Sequence, residues 1–331
     1  MAHEIKLGVS LYSFSSEYIN EELSLEDILK SVKQMGYQGI EIVASQMVPE
    51  YPYPSDGWIS SFRELLTKYE LEPVCWSAYI DKGLCSGREL TDDEIIQFTM
   101  NDLLYAQKVG FPIVRSQYAI SPEIFVRMVP FCKQTGVKLT IEMHHPHHPE
   151  VPIWKEYLSI MKNEGKGWLG LVPDCGIFQQ HPHKLYIDQA LEMGFRKETL
   201  NEVIAMHDAG IPLKDVYHGL TENEKQITTE LYETFNHPAK LAQLQDIIDV
   251  SFYIHGKFYY LENDRDDPCI PYTQILPEIA RLGYRGYIAC EYEGHHFTDC
   301  YETDTKKQLE RYVSMNKRIL GERVQIHFGS K

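Results

Sequence analysis

Four short apolar runs in the sequence each end in a residue that can bind a metal ion. They are LTIE (139–142), LVPD (171–174), FYIH (252–255) and YIACE (287–291). A charged side chain at the end of a buried strand is costly unless it is paired or ligated, so four such endings indicate that these side chains meet at one point. The spacing therefore predicts a metal site, and separate salt bridges or hydrogen bonds at each strand end are the alternative.

The predicted metal ligands are Glu142, Asp174, His255 and Glu291. Three carboxylates and one imidazole suit Mn²⁺, Mg²⁺ or Co²⁺ better than ions that prefer thiolates. We expect a divalent metal with Mn²⁺ as the first choice, and Zn²⁺ is an alternative because it also binds imidazole and carboxylate. No nucleotide cofactor is expected, because the sequence has no GxxxxGK[ST] or GxGxxG segment.

His144 is the leading candidate for acid–base catalysis. It follows Glu142 by two positions, and the alternation of side chains along a strand would direct both toward the same mouth. A histidine that is only hydrogen-bonded in a loop is the alternative. His145 would point elsewhere on a continuing strand, although Pro146 allows a turn. The tract HHPHHP (144–149) could also bind a metal by itself, but its prolines break any regular face of ligands.

Two further charged residues have the same position relative to a predicted ligand. Lys257 lies two residues after His255, and Glu293 lies two residues after Glu291. Lys257 could act as a catalytic residue that contacts a substrate oxygen, or it could neutralise the carboxylates. Glu293 could support the site and contact substrate, or it could be a solvated loop carboxylate.

Candidates for substrate binding lie at or just beyond other predicted strand ends. Arg115 could hold a sugar hydroxyl or brace Glu142, and His295 and His296 could line the entrance or lie on the surface. Aromatic side chains there offer flat faces that stack on a sugar or a polyphenol, with core packing as the alternative. These are Tyr12 and Phe14, which we take as substrate-binding candidates, and Tyr18, Trp76 and Tyr118.

Predicted strands and helices alternate along the chain. Strands are expected at 5–11, 39–43, 73–77 and 113–116, and the four ligand-bearing runs bring the number to eight. Capping patterns at 24–27 and 91–94, and a proline at 122, predict helix starts, while glycines at 36, 110 and 136 predict helix ends. This alternation predicts an α/β fold, a (β/α)8 TIM barrel with its site at the carboxyl ends of the strands.

The length of 331 residues fits one such barrel with one insertion. Residues 175 to about 237 are polar, show helical patterning near 185–193, 197–207 and 225–235, and are too many for an ordinary connection. We therefore expect a single domain, residues 1–331, with a helical insertion between strands six and seven. The insertion could cover the barrel mouth, form a subunit contact or simply decorate the fold.

Charge and cysteine content limit the partners and the compartment. The net charge of -16 and the pI near 5.3 disfavour nucleic acids and anionic membranes, which are polyanions. Seven cysteines without a CxxC pair predict reduced thiols and a cytoplasmic protein. The amino terminus lacks the apolar core of a signal peptide, and no later segment has the apolar length needed to span a bilayer.

The order of several motifs resembles the xylose isomerase-like barrel superfamily, which includes sugar isomerases, epimerases and dehydratases. The motifs are GVSLYS (8–13), EMH (142–144), PD (173–174), HGK (255–257) and EYE (291–293). In that superfamily a Glu, an Asp, a His and a Glu at strand ends bind one divalent metal. The resemblance places these roles on Glu142, Asp174, His255 and Glu291.

A closer resemblance is to the large, catalytic subunit of bacterial C-glycoside deglycosidases. It lies in VSLYSF (9–14), QMVP (46–49), HGKFY (255–259), PCIPY (268–272) and EYEG (291–294). This resemblance implies a hetero-oligomer in which the barrel pairs with a small, mostly β subunit. It also implies that a glucosyl group already oxidised at C3 is released from an aromatic carbon, leaving an unsaturated keto-sugar and a free polyphenol aglycone.

The chemistry of such a substrate is consistent with the predicted site. A ketone at C3 acidifies the C2 proton, and a divalent ion at the C3 oxygen stabilises the enolate. Reprotonation of this enolate gives isomerisation or epimerisation, whereas expulsion of the ring from C1 gives elimination and requires two acid–base groups. We therefore expect a metal-dependent carbon–carbon lyase. A sugar or sugar phosphate isomerase or epimerase, and a non-catalytic metal-containing binding subunit, are the alternatives.

Overall fold

The computed structural model describes residues 5–117, 120–235, 238–263, 265–297, 304–321 and 324–325. Its strands are β1 (Ile5–Ser10), β2 (Gly39–Val43), β3 (Glu72–Ser77), β4 (Ile113–Ser116), β5 (Lys138–Met143), β6 (Leu169–Pro173), β7 (Ile254–Phe258), β8 (Tyr287–Tyr292) and β9 (Val324–Gln325). The first eight form a parallel sheet in the order β6-β5-β4-β3-β2-β1-β8-β7, and β9 pairs with β1. Bridges from Leu171 to Ser251 and from Asp174 to His255 bring β6 beside β7, so the sheet is a nearly closed barrel. The predicted TIM barrel is confirmed.

Helices follow the strands and cover the outside of the barrel. They are α1 (Ser15–Ile19), α2 (Leu25–Gln34), α3 (Ala44–Met47), α4 (Asp56–Lys68), α5 (Asp92–Val109), α6 (Pro122–Arg127), α7 (Val129–Thr135), α8 (Pro152–Lys162), α9 (Lys184–Glu192), α10 (Lys197–Asp208), α11 (Leu213–Val216), α12 (Glu222–Thr234), α13 (Leu244–Ile247), α14 (Tyr272–Arg281) and α15 (Thr305–Leu320). Because helices cover the outer face and side chains fill the inner one, the strands are buried on both faces and read as continuous apolar runs.

The predicted capping boxes are present at two helix starts. The Ser24 and Thr91 side chains accept the backbone N–H groups of Asp27 and Glu94, whose carboxylates accept the N–H groups of Ser24 and Thr91 in return. Each box satisfies two backbone donors that have no partner within the helix.

The single helix predicted from Pro122 to the glycine at 136 is instead two helices. α6 ends at Arg127 and α7 begins at Val129. Pro130 explains the break, because it has no N–H to donate and its ring would collide with the carbonyl of Val126 in a continuous helix.

The chain has one large core and one smaller core. The large core joins the barrel strands to the surrounding helices, from Ile5 on β1 to Leu320 at the end of α15. Helices α9 to α12, which lie between β6 and β7, pack around a separate cluster that includes Phe195, Leu200 and Leu231. This segment therefore stabilises itself largely through its own apolar contacts.

Among the helices that the structure describes, none combines the length and the apolar character needed to cross a membrane. Six cysteines are free thiols, and Cys300 lies outside the described residues.

Candidate metal centre

The structure brings the four predicted ligands together at the mouth of the barrel. Carboxylate oxygens of Glu142, Asp174 and Glu291 lie within 4.8 Å of one another. Nδ1 of His255 lies 2.7 Å from Oε1 of Glu142 and 3.3 Å from Oε2 of Glu291. All four side chains are buried. The three carboxylates could therefore share one ion, and Nδ1 of His255 borders this set through Glu142 and Glu291.

The position of His255 differs from the sequence prediction in one respect. The run FYIH was expected to end a strand, but β7 begins at Ile254 and continues to Phe258, so His255 is its second residue. The sequence did not predict that the strand continues past His255, because Gly256 is a poor strand former. A Cβ on Gly256 would lie 1.8 Å from the hydroxyl of Tyr312, so only glycine allows this close approach. The parallel bridge to Asp174 keeps His255 level with the end of β6.

The electrostatics of this cluster fit a divalent cation. Burial raises the pKa of Asp174 and of Glu291, as expected for carboxylates held close together away from water. Oδ2 of Asp174 is buried and accepts no hydrogen bond from the part of the chain that the structure describes. The ammonium of Lys257 lies 3.4 Å from this oxygen without forming a hydrogen bond to it, and a cation among the three carboxylates would also compensate its burial. Oxygen ligands with one imidazole match the preferences of Mn²⁺ and Mg²⁺.

Glu41, on β2, is part of the cluster and was missed in the sequence. Its Oε2 accepts a hydrogen bond from Nε2 of His255 at 2.7 Å, and both side chains are fully buried. Burial opposes charge on His255, but Glu291, Glu41 and Glu142 outweigh it and hold the pKa of the imidazole well above its usual value. The glutamate in the middle of the apolar run GIEIV is the available signal, but it lies inside β2 and not at a strand end.

Glu41 also creates a second set of donors. Glu41, His255 and Glu291 lie within 4.8 Å of one another, as the first set does. We favour the first set, Glu142, Asp174 and Glu291, because an ion there would lie on the Nδ1 side of His255, whose Nε2–H can then still donate to Glu41. A carboxylate that holds the far nitrogen of a metal-binding histidine is a common arrangement around metals.

Arg115 contacts two glutamates of the cluster and holds them in place. Its guanidinium donates to Glu142 and to Ser77, and its Nε lies 3.4 Å from Oε1 of Glu41. Burial opposes ionisation of Glu142, but Arg115 and His255 hold the pKa of its carboxyl well below its usual value. Because Arg115 is almost fully buried in these contacts, the geometry favours bracing over contact with a sugar hydroxyl.

Lys257 lies beside the cluster as a mostly buried cation. Its Nζ is 2.9 Å from Oε2 of Glu293 and 3.4 Å from Oδ2 of Asp174. Burial opposes its charge, but Glu293 and the other acidic neighbours hold the pKa of Lys257 well above its usual value. Glycine at 176 makes room for it, because a Cβ there would lie 3.0 Å from Cδ of Lys257. Lys257 therefore neutralises carboxylates and can donate hydrogen bonds to a substrate.

His144 and His145 both follow β5 and are half-buried. Nδ1 of His144 donates to the carbonyl oxygen of His145 at 2.7 Å. A neutral histidine that donates through Nδ1 carries its lone pair on Nε2 and can act there as a base. His145 lines a pocket together with Lys257 and Glu293. The assignment of His144 as the acid–base group stays a prediction.

The aromatic candidates differ in their placement. Tyr12 lies at the mouth, where its hydroxyl is 2.9 Å from Nε2 of His296. Phe14 is fully buried in the large core, so the prediction that it contacts substrate is not supported: its neighbours leave none of its surface accessible. Trp76 is also fully buried. Tyr118 lies outside the described residues.

A family model described as a xylose isomerase-like TIM barrel matches residues 29–315. The chain belongs to this family. A 3'-dehydrocarminate deglycosidase alpha subunit from a Microbacterium species is 28% identical, with 96% of each chain covered. A C-glycoside deglycosidase alpha subunit from Arthrobacter globiformis is 26% identical, and the match covers 97% of this chain and 94% of the relative. The resemblance predicted from the motifs is confirmed.

Solved structures share the same fold. A xylose isomerase-like TIM barrel protein from Mycobacterium smegmatis in complex with magnesium has a TM-score of 0.56 at 14% identity, covering 98% of this chain and 99% of that chain. A D-psicose 3-epimerase from Clostridium cellulolyticum H10, solved with D-tagatose, has a TM-score of 0.56 at 11% identity, covering 96% of this chain and 99% of that chain. At these low identities, the structural likeness shows a common fold and nothing more.

Two pockets lie near the candidate metal centre of this xylose isomerase-like barrel, the first through Lys257 and the second through Tyr79, whose ring lies 5.6 Å from the guanidinium carbon of Arg115. The first, which we call the polar pocket, has a volume of about 300 Å³ and is lined by residues that include His145, Gln179, Lys257, Glu293 and His296. The second, which we call the apolar pocket, has a volume of about 470 Å³ and is lined by residues that include Tyr51, Tyr79, Ile80, Leu84, Leu90 and Phe98. One polar and one largely apolar pocket therefore border the candidate metal centre.

Proposed function

We propose that the chain is the catalytic subunit of a metal-dependent carbon–carbon lyase that cleaves 3-oxo-C-glucosides of aromatic polyphenols. The observation that carries the proposal is the convergence of Glu142, Asp174, His255 and Glu291 at the barrel mouth. The relatives named deglycosidase alpha subunits, at 26% and 28% identity over nearly the whole chain, support the substrate class.

The four ligands would hold the ion, for which Mn²⁺ is our first choice. When bound, a divalent cation supplies a Lewis acid that stabilises negative charge on the C3 oxygen of the sugar. Lys257 would orient the sugar, because its ammonium group lies 3.4 Å from Asp174 and also borders the polar pocket. The same charge keeps Glu293 ionised, so a sugar hydroxyl can donate to it.

The reaction moves one proton and breaks one carbon–carbon bond. His144 would remove the proton from C2, a double bond would form between C1 and C2, and the electron pair of the C1–aryl bond would pass to the aromatic carbon. That carbon then takes up a proton, from the same imidazole or from Lys257. The products are the unsaturated keto-sugar and the free aglycone, so the step consumes neither water nor an oxidant. The prior oxidation at C3 belongs to another enzyme.

The partner is a further part of the proposal. Both relatives are named alpha subunits. We propose that this chain assembles with a small, β-rich subunit in a hetero-oligomer.

An isomerase or epimerase of simple sugars is the second candidate. The D-psicose 3-epimerase has the same fold, and the same donors would serve its chemistry. A sugar phosphate is disfavoured as substrate, because among the residues named above for the polar pocket only Lys257 is a lysine or arginine, and it already pairs with Asp174 and Glu293.

The test incubates the chain, its partner subunit and Mn²⁺ with a 3-oxo-C-glucoside and follows the free aglycone by chromatography. We expect release that stops after chelation and returns with Mn²⁺. The matched control is Glu72→Gln, a glutamate on β3 outside the cluster, which should release aglycone at the wild-type rate. If no aglycone is released while simple ketoses and aldoses interconvert, the epimerase candidate replaces the lyase. If metal-loaded chain and partner are inert toward every substrate, the non-catalytic alternative is favoured.

A further inference from the structure

We infer that the apolar pocket binds the aromatic aglycone, a polyphenol, while the sugar occupies the polar pocket. The inference rests on the proposed lyase function, and it assigns to the apolar pocket a ligand class that the metal centre alone does not specify.

The walls of the apolar pocket suit a flat apolar ligand. Aromatic and aliphatic side chains form most of its lining, and its volume lies in the range of about 300–1,000 Å³ typical of small-molecule sites. Two of these side chains remain open to solvent: Tyr79 is 38% exposed and Leu84 is 63% exposed. An aromatic ring bound between them would remove this apolar surface from water.

The polar groups at the edge of the pocket match phenolic hydroxyls. Oε1 of Gln46 accepts a hydrogen bond from Oγ of Ser15 at 2.9 Å, which orients the amide. Asp81 adds a carboxylate, with Oδ1 held by the N–H of Gly83 at 2.8 Å. A phenol can donate to a carboxylate and accept from an amide. The described residues that line this pocket include no lysine, arginine or histidine, so an anionic ligand would find no opposite charge there.

Tyr79 connects the apolar pocket to the metal centre. Its ring lies 5.6 Å from the guanidinium carbon of Arg115, which in turn donates to Glu142. The polar pocket reaches the same cluster through Lys257, which lies 3.4 Å from Asp174. The bond that breaks in a C-glycoside joins a polar sugar directly to an aromatic ring. A metal centre between a polar and an apolar pocket would place that bond at the catalytic groups.

The test measures binding of a free flavone, luteolin, to the Mn²⁺-loaded complex by calorimetry. Leu84→Asp should weaken luteolin binding by about tenfold or more, since a carboxylate would replace an apolar wall. It should raise KM for the 3-oxo-C-glucoside to a similar extent and leave kcat and metal content unchanged. The fold should be retained because Leu84 is mostly exposed. The matched control is Leu104→Asp, an exposed leucine on α5 outside the pocket, which should change neither value.

Three results would overturn the pocket assignment, and a fourth would refute the lyase function alone. Luteolin that does not bind the wild-type complex, or that binds Leu84→Asp as well as wild type, overturns the inference. A Leu84→Asp variant that loses the partner subunit but still binds luteolin also overturns it, because the pocket would then be a subunit contact. Luteolin binding that depends on Leu84, without cleavage of any 3-oxo-C-glucoside, leaves the pocket assignment standing and refutes the proposed lyase.

Discussion

The two pockets beside the metal centre are built in opposite ways. On the polar side, the mostly buried Lys257 contacts both Glu293 and Asp174, so replacing Lys257 leaves two carboxylates without their cation. On the apolar side, Leu84 and Tyr79 are exposed, and each can be replaced without leaving a charge unpaired. Under the proposed function, chemistry is therefore concentrated on the side that tolerates little change, whereas selectivity for the aglycone can vary on the other side.

The largest effect is expected from removing a ligand on the polar side. Asp174→Asn should abolish aglycone release and weaken metal retention by more than the roughly 10- to 100-fold typical of an outer partner of a ligand. Glu142→Gln should do the same, but Asp174→Asn is cleaner because it leaves the contact of Arg115 with Glu142 intact. The fold should persist, since the change relieves repulsion between clustered carboxylates in the metal-free protein. Metal per chain and turnover are the measurements, and full activity of either variant after chelation would contradict the account.

A smaller loss is expected at the acid–base group. His144→Ala should retain the metal and slow aglycone release by about 100-fold or more, because proton removal from C2 loses its base. The rate under single-turnover conditions, with metal content measured in parallel, tests this. The matched variant is His145→Ala, at the neighbouring imidazole that lines the polar pocket. Unchanged turnover in His144→Ala, with a loss in His145→Ala, would transfer the role to His145.

Glu41→Gln tests the hydrogen bond that holds the Nε2 side of His255. Losing the charge that holds Nε2–H of His255 should weaken Mn²⁺ binding by about 10- to 100-fold, the usual effect of an outer partner. Calorimetric titration of the metal-free protein gives the affinity. Glu72→Gln is again the control and should bind Mn²⁺ as wild type does. Equal affinities in wild type and Glu41→Gln would show that Glu41 does not position His255.

The smallest effect is expected behind the apolar pocket, at Asp102. Its carboxylate accepts from Trp76 and from the hydroxyl of Tyr51, but burial dominates and raises the pKa of Asp102 to about 7. The folded state therefore holds a proton that the unfolded state loses near pH 4, so this residue's contribution to stability falls as pH rises between about 4 and 7. From pH 5 to 7 the wild type should lose about 2 kcal/mol relative to Asp102→Asn. Urea unfolding at both values measures this difference, and parallel pH profiles would refute it.

Much of the barrel was predictable, because its signals are local or periodic. Buried strands show as apolar runs, and the capping residues at Ser24 and Thr91 mark helix starts. The ligands were predictable because a charged side chain at the end of a buried apolar run is costly unless it is paired or binds a metal ion. Glu41 carries a similar signal in the middle of β2, but nothing in the sequence shows that its partner is His255, 214 residues away.

Other features depend on tertiary contacts that sequence periodicity does not contain. Phe14 and Tyr12 lie two residues apart, yet Phe14 is buried in the core and Tyr12 lies at the mouth. The ion pair of Lys257 with Glu293 joins β7 to the residue that follows β8, so periodicity in the sequence does not separate the alternatives for these two residues. The apolar pocket combines residues from segments that follow β2 and β3, and its shape depends on non-periodic loops.

The most direct test of the account is anomalous X-ray diffraction at the manganese absorption edge from crystals of the protein grown with Mn²⁺. The account predicts one strong peak within bonding distance of Glu142, Asp174, Nδ1 of His255 and Glu291, with Glu41 still hydrogen-bonded to Nε2. A peak on the Glu41 side of the imidazole, or no peak at the barrel mouth, would contradict it.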